Sequence, residues 1–264
     1  MSKYIYLRVF GNIYERLLFK ILSTKASTIL AAADENEIKI KKHNYRNLKL
    51  TIHSFPTRFN SQLFCVKDKL KMRTQLSKSF NISIKDTIFI SVGRIVFIKG
   101  WPLLVDSFRY VLKTHKNCQL IFIGDGEESE KLASYCHDEI NKGIILMVGF
   151  QSSEIISAFL NAADVFISGS YVEGWPTSIV EALACGKSIV TTKVSGVSDM
   201  IQEGINGYII EDRNTAIFGE KMLNAINLES PNSTSISLSK KYSNTTLKND
   251  LNNIWLNGVD QKHN

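Results

Sequence analysis

Five short apolar runs recur along the middle of the chain, and none shows the alternation of a strand with one solvent-exposed face. They cover 87–92, 119–123, 144–148, 164–168 and 188–192. Such runs are typical of strands buried on both faces of a parallel sheet. Helical periodicity fills the stretches between them, near 101–115, 127–141, 152–162 and 177–185. This regular alternation predicts an α/β domain with a Rossmann-like, doubly wound parallel sheet.

Two carboxylates eight positions apart, Glu173 and Glu181, flank the start of one predicted helix. Pro176 suits the first helical position, and Gly186 suits the C-terminal stop. The amide groups expected to point outward from this helix start are those of Gly174, Thr177 and Ser178. Exposed donors and the helix dipole together attract phosphate. Glu181, about one turn further in, is expected to reach a neutral hydroxyl such as a ribose, while Glu173 faces whatever the phosphate carries. The alternative is that both are solvated or ion-paired surface residues.

A second group of polar residues follows the buried run at 87–92. Gly93 stands at the end of this predicted strand, and Arg94 and Lys99 lie in the loop before the next helix. Ligands of open α/β sheets bind beyond the carboxyl ends of the strands. The planar fork of Arg94 suits a phosphate, and Lys99 adds a compact point charge. The alternative is that both side chains are simply solvated, as most Lys and Arg are.

The stretch from 87 to about 228 resembles the C-terminal, donor-binding domain of retaining glycosyltransferases of GT-B architecture, in the GT4 family known as glycosyl transferases group 1. Several pieces carry the resemblance by their order and spacing. They are Val92-Gly93-Arg94 with Lys99-Gly100, Ile123-Gly124-Asp125-Gly126, Val148-Gly149-Phe150, Ala162-Ala163-Asp164-Val165-Phe166, Ser170-x-x-Glu173-Gly174-x-Pro176, Glu181-Ala182-x-Ala184-x-Gly186 and Gly204-x-Asn206-Gly207.

The resemblance implies a role for each site residue. Glu173 would contact the transferred sugar and act with Arg94 and Lys99, which hold the diphosphate and stabilise its leaving charge. Glu181 would bind the nucleotide ribose. The remaining donor-binding positions implied are Gly93, Gly149, Phe150, Gly174, Thr177 and Ser178, with the Gly149-Phe150 loop bordering the base.

The implied reaction is transfer of a sugar, with retention, from a UDP- or GDP-sugar to a carbohydrate or lipid-linked acceptor. Polysaccharide, lipopolysaccharide or glycolipid biosynthesis in the cytoplasm is the expected setting. We expect neither a cofactor nor a metal, because the sequence has no compact metal-ligand cluster and its four cysteines lack metal-ligand spacing. Two other functions stay open. One is a non-catalytic nucleotide-sugar-binding subunit, and the other, which matches the motifs less well, is a sugar-nucleotide epimerase.

The resemblance also divides the chain. Residues 1–85 would be a remnant of the acceptor-side N-terminal domain plus a linker, with strands at 27–32 and 48–52 and a helix at 66–80. Residues 86–228 would form the donor-binding domain. Residues 229–264 would hold a linker at 229–238 and a crossover helix near 239–256. So short a front part predicts a fragment, or a partner chain that supplies the acceptor half.

Charge is concentrated in the front third of the chain. Residues 1–90 hold 17 Lys and Arg against 6 Asp and Glu, while the whole chain has a net charge of only +7. An apolar stripe runs through this part at helical spacing, formed by Tyr6, Phe10, Ile13, Leu17 and Ile21. Such a stripe either packs on protein, the ordinary case, or makes peripheral contact with the inner face of a membrane. Nucleic acid is not an expected partner, because no recognition helix or aromatic RNA-binding motif is present.

Overall fold

A computed structural model gives the fold and describes residues 28–32 and 51–260. The apolar stripe from Tyr6 to Ile21, in the basic front third of the chain, lies outside the described residues. In chain order, the described elements are β1 (Thr28–Ala31), β2 (Thr51–Ser54), α1 (Lys69–Phe80), β3 (Thr87–Val92), α2 (Trp101–Leu112), β4 (Cys118–Ile123), α3 (Ser129–Tyr135), α4 (His137–Asn141), β5 (Ile145–Met147), α5 (Ser153–Ala162), β6 (Val165–Ser168), α6 (Thr177–Ala184), β7 (Ser188–Thr192), β8 (Gly207–Ile210), α7 (Thr215–Ile226), α8 (Ser233–Ser239) and α9 (Leu247–Asp260).

The chain forms two compact units. The larger one spans Arg58–Thr245, and the smaller one joins 1–57 with 246–264. Within the smaller unit, β1 pairs with β2 in parallel, from Thr28 opposite Thr51 to Ala31 opposite Ser54. The first of its two predicted strands therefore forms as expected. Of the second, predicted at 48–52, the described part runs from Thr51 and continues to Ser54, and 48–50 lie outside the described residues.

The larger unit is built on a six-stranded sheet in the order β5-β4-β3-β6-β7-β8. Every neighbouring pair is parallel. Side chains of β3 alternate between two hydrophobic clusters: Ile88 and Ile90 pack in one, and Phe89 packs in the other. Both faces of the sheet are therefore covered, which explains the unalternated apolar runs. The predicted Rossmann-like, doubly wound parallel sheet is confirmed.

The strand order reverses between β3 and β6. From β3 the chain continues outward to β4 and β5, and then returns to β6, which pairs with β3 through Phe89 opposite Val165 and Ile90 opposite Phe166. The loops that leave β3 and β6 therefore start side by side. In open α/β sheets this is the point where a crevice opens at the carboxyl edge.

Several predicted boundaries need correction. The stretch 127–141 is two short helices, α3 and α4, because the chain leaves helical geometry at Cys136. The segment 229–238, predicted as a linker, holds most of α8. Its polar residues resemble a loop, but Asn232 caps the helix by accepting from the N–H of Ser235. The last helix is α9, which begins at Leu247 rather than near 239.

The larger unit is wider at both ends than the predicted domain at 86–228. At the front, α1 packs on α5, and at the back, α8 packs on α6. The strand β8 and the helix α7 were not predicted as elements either. A turn precedes β8, next to Glu203. The Asn206 side chain closes this turn by accepting from the N–H of Gln202.

A partly buried carboxylate supports the central strands. The Asp164 Oδ2 atom, just before β6, lies 2.7 Å from a guanidinium nitrogen of Arg73 and accepts from the N–H of Ile88 in β3, also at 2.7 Å. Lys69 pairs with the other oxygen. Arg73 in α1 is almost fully buried and also donates to the carbonyl of Ala162. Asp164 therefore ties α1 and β3 to the start of β6.

We expect Asp164→Asn to lower the free energy of unfolding by about 3 kcal/mol, because it leaves the buried Arg73 guanidinium without its anion. Urea unfolding followed by circular dichroism measures this change. The matched control is Glu211→Gln, which breaks an exposed ion pair with Lys193 and should change stability by no more than about 0.5 kcal/mol. Equal, small changes in both variants would contradict the role given to Asp164.

Candidate functional site

A cleft opens where the loops after β3 and β6 leave the sheet, and we call it the switch-point cleft. It holds about 380 Å³ of space, including space open to solvent. The polar or charged residues that line it and belong to the predicted site are Arg94, Lys99, Glu173 and Ser178, with the backbone of Gly93 beside them. Residues from two distant parts of the chain, 93–99 and 173–178, therefore meet as the sheet topology requires.

The loop after β3 is held in shape by backbone hydrogen bonds, one of them to the loop after β4. The N–H of Ile95 donates to the carbonyl of Asp125 at 3.0 Å, and a 3-10 turn over Phe97–Lys99 ends at Gly100. Gly100 has a φ of 69°, and a Cβ there would lie 1.8 Å from the carbonyl oxygen of Gly169. Only glycine permits this approach. The close contact brings the loop after β3 against the loop after β6.

An ion pair joins the two loops. The Lys99 Nζ atom lies 2.6 Å from Oε1 of Glu173, and the Ser170 hydroxyl donates to the same oxygen, also at 2.6 Å. Glu173 is 14% exposed and Lys99 is 31% exposed. We predicted both as site residues but not as partners. The motif contained Ser170 too, but its role was missed, because a hydrogen bond within a turn leaves no pattern in the sequence.

The start of α6 differs from the prediction in one respect that matters for phosphate binding. Pro176 is the cap and Thr177 the first helical residue. The N–H of Thr177 donates to the carbonyl of Trp175 at 3.0 Å, so it is already engaged. Ser178 does line the cleft, and its N–H makes no hydrogen bond to another described residue. Gly174 is exposed and does not line the cleft.

Glu181 lies three positions after Ser178 on α6, where residues share one helix face. It does not line the switch-point cleft itself. Burial raises the pKa of its carboxyl to about 7. Within the described part of the chain, the Glu181 side-chain carboxyl makes no hydrogen bond or ion pair, and only its backbone carbonyl accepts, from the N–H of Cys185. Such a carboxyl is available to a ligand hydroxyl.

The remaining predicted pair, Gly149 and Phe150, follows β5 at the edge of the sheet. Phe150 is 84% exposed. The carbonyl of Gly149 accepts from the N–H of Gly124 at 2.9 Å. Neither residue lines the switch-point cleft, because β4 separates β5 from β3. The contact with a nucleotide base stays a prediction.

Among residues 28–32 and 51–260, no group of three or more His, Cys, Asp or Glu side chains is placed to hold a metal ion. In the same residues, no helix has both the length and the apolar character needed to cross a membrane.

Comparison with known proteins adds independent findings. The family model described as glycosyl transferases group 1 matches residues 72–244. The lipopolysaccharide 1,2-N-acetylglucosaminetransferase of Salmonella typhimurium is 30% identical over 174 residues, which are 62% of this chain and 45% of that protein. The capsular polysaccharide biosynthesis glycosyltransferase CapM of Staphylococcus aureus is 28% identical over 219 residues, or 81% and 56% of the two chains. The chain thus spans about half the length of these curated relatives.

Solved structures share the fold. The Anabaena protein HepE, crystallised with UDP and glucose, superposes with a TM-score of 0.71 at 17% identity. The match covers 92% of this chain and 66% of HepE. At this identity the likeness establishes the fold and not the ligand.

The raised pKa of Glu181 predicts how stability depends on pH. In the folded protein the carboxyl titrates near pH 7, against an ordinary value of 4.5. Between these values the folded state binds more protons than the unfolded state, so stability falls as pH rises through this window, by about 3 kcal/mol from this residue. Glu181→Gln should remove that loss, so the variant should gain stability relative to the parent at pH 8 but not at pH 4.5.

Urea unfolding at the two pH values measures the difference. Glu211→Gln serves as the control, because Glu211 is an exposed carboxylate on the same unit. Identical pH dependence in the parent and in Glu181→Gln would show that the Glu181 carboxyl is not held in a costly environment.

Proposed function

Because the chain belongs to the glycosyl transferases group 1 family, we propose that its larger unit binds the nucleotide-sugar donor of a glycosyltransferase in the switch-point cleft. The observation that carries this proposal is the meeting of Arg94, Lys99, Glu173 and Ser178 in one cleft at the carboxyl edge of the sheet. Cations and a helix N-terminus suit the diphosphate of such a donor, and the carboxylate suits its sugar.

The cationic groups suit the leaving diphosphate. Breaking the bond between sugar and diphosphate develops negative charge on the leaving oxygen, and donors already in place lower that barrier. Arg94 offers a planar fork, and the Ser178 amide adds the positive end of the α6 dipole. Lys99 has three donor hydrogens, so it can hold Glu173 and a phosphate oxygen together.

Glu173 suits the sugar side of the site. Its Oε1 atom is fixed by Lys99 and Ser170, so the carboxylate has one orientation before a ligand arrives. Positive character that develops on the sugar ring is stabilised by a carboxylate held nearby. Glu181, one turn into α6, would accept hydrogen bonds from the ribose. The raised pKa of its carboxyl is the cost of keeping an acceptor partly desolvated.

The finer details of the reaction follow from the family resemblance. We propose transfer with retention at the anomeric carbon, from a UDP- or GDP-sugar to a carbohydrate or lipid-linked acceptor. The names of the two bacterial relatives support lipopolysaccharide or polysaccharide biosynthesis. The UDP bound to HepE supports a uridine donor.

Calorimetry tests the donor site. The chain should bind UDP or GDP and the corresponding UDP-glucose or GDP-mannose. Lys99→Ala should weaken binding of the nucleoside diphosphate by about 10- to 100-fold, because it removes a charge-assisted contact of about 1.5–3 kcal/mol. Glu181→Ala should weaken it as well. Glu173→Gln should leave the nucleoside diphosphate unaffected and weaken only the nucleotide sugar.

Lys193→Ala is the matched control, since Lys193 is an exposed lysine paired with Glu211 outside the cleft. It should bind like the parent protein. Absence of heat with all four nucleotides would overturn the proposed donor site. An equal loss in Lys99→Ala and Lys193→Ala would show that binding reflects overall charge only.

A further inference from the structure

Arg213, in the turn between β8 and α7, holds the loop that carries Glu173. Its two terminal guanidinium nitrogens donate to the carbonyls of Gly169 at 2.7 Å and Ser170 at 2.5 Å. The guanidinium carbon lies 3.4 Å from the centre of the Tyr171 ring. One side chain therefore fixes three consecutive residues of this loop.

The same contacts reach the loop that carries Lys99. Tyr171 donates its N–H to the carbonyl of Ile98 at 2.8 Å. Its ring stacks on Phe97, with centres 5.2 Å apart and planes 19° from parallel. A Cβ on Gly100 would lie 3.3 Å from an Arg213 nitrogen. Arg213 thus sits at the junction of both loops.

Ser170 links Arg213 to Glu173. Its carbonyl accepts from Arg213 and also from the Thr192 hydroxyl, at 2.6 Å, while its own hydroxyl donates to Glu173. Ser170 and Thr192 are both 2% exposed. The orientation of Glu173 therefore depends on where the Ser170 backbone is held.

The bonds that Arg213 makes are unusual for a cation. Its partners are neutral carbonyls and an aromatic ring, and among the residues that the structure describes no carboxylate forms an ion pair with it. Desolvation lowers the pKa of this guanidinium. An arginine beside a helix that served only as a solvated surface residue would keep its guanidinium in water.

We propose that Arg213 is a positioning residue for the reaction: by fixing Gly169, Ser170 and Tyr171 it sets the geometry of the Lys99–Glu173 ion pair. The proposal rests on the proposed function of the switch-point cleft. Arginine is required because its planar fork reaches two carbonyls at once and stacks on the ring, whereas a lysine supplies only a point charge.

Hydrogen–deuterium exchange tests the geometry without a ligand. In Arg213→Ala the amides of 97–99 and 169–173 should exchange at least tenfold faster than in the parent, while the rest of the larger unit is unchanged. Arg213→Lys should give an intermediate rate. Asp212→Ala, at the exposed neighbouring position, should behave like the parent. Unchanged exchange in both loops, or faster exchange throughout the unit, would overturn the proposal.

Calorimetry then tests the link to function. Arg213→Ala should weaken the nucleoside diphosphate through the loosened Lys99 loop, and should weaken UDP-glucose or GDP-mannose by a further factor of about ten through Glu173. Equal losses for both ligands would contradict a role through Glu173. If the parent protein binds no nucleotide, the proposed function fails, and the exchange measurement still decides whether Arg213 holds the two loops.

Discussion

Pairing between β3 and β6 places Phe89 opposite Val165 and Ile90 opposite Phe166, and the candidate site depends on this contact. Segments far apart in sequence leave the sheet side by side, and the backbones of Gly100 and Gly169 then meet too closely for any side chain. Asp164 strengthens the same junction by binding β3 and α1 at the start of β6. The Lys99–Glu173 ion pair is the consequence at the surface.

Two ionisable side chains near this cleft, those of Glu181 and Arg213, are partly desolvated. Desolvation lowers the stability of the folded protein but leaves these groups placed for a ligand or for a fixed loop geometry. Glu181 is a partly buried carboxyl without a side-chain partner in the described residues, and desolvation raises its pKa to about 7. Arg213 is partly desolvated and bonded to neutral carbonyls. Such groups lower the stability of the folded state and persist where a ligand or a fixed geometry needs them. The structural cluster around Asp164 differs, because its charges pair with each other.

Strand positions could be predicted from the sequence because strands buried on both faces leave continuous apolar runs; β3 and β7 match the predicted bounds. The site could be predicted as a set of residues, but its contacts could not. Sequence spacing does not show that Lys99 pairs with Glu173, or that the N–H of Thr177 turns back to Trp175. The helix α8 was missed for a similar reason. Its Asn and Ser residues are typical of a linker, and only the tertiary structure shows that they are buried and hydrogen-bonded, as the Ser235 hydroxyl is to the carbonyl of Lys187.

A crystal structure of the protein with an intact nucleotide sugar, UDP-glucose or GDP-mannose, tests the central claim most directly. The account predicts the diphosphate between Arg94, Lys99 and the Ser178 amide, the ribose hydroxyls at Glu181, and the sugar facing Glu173. A nucleotide bound elsewhere on the sheet edge, or one bound in the cleft with its sugar turned away from Glu173, would contradict it.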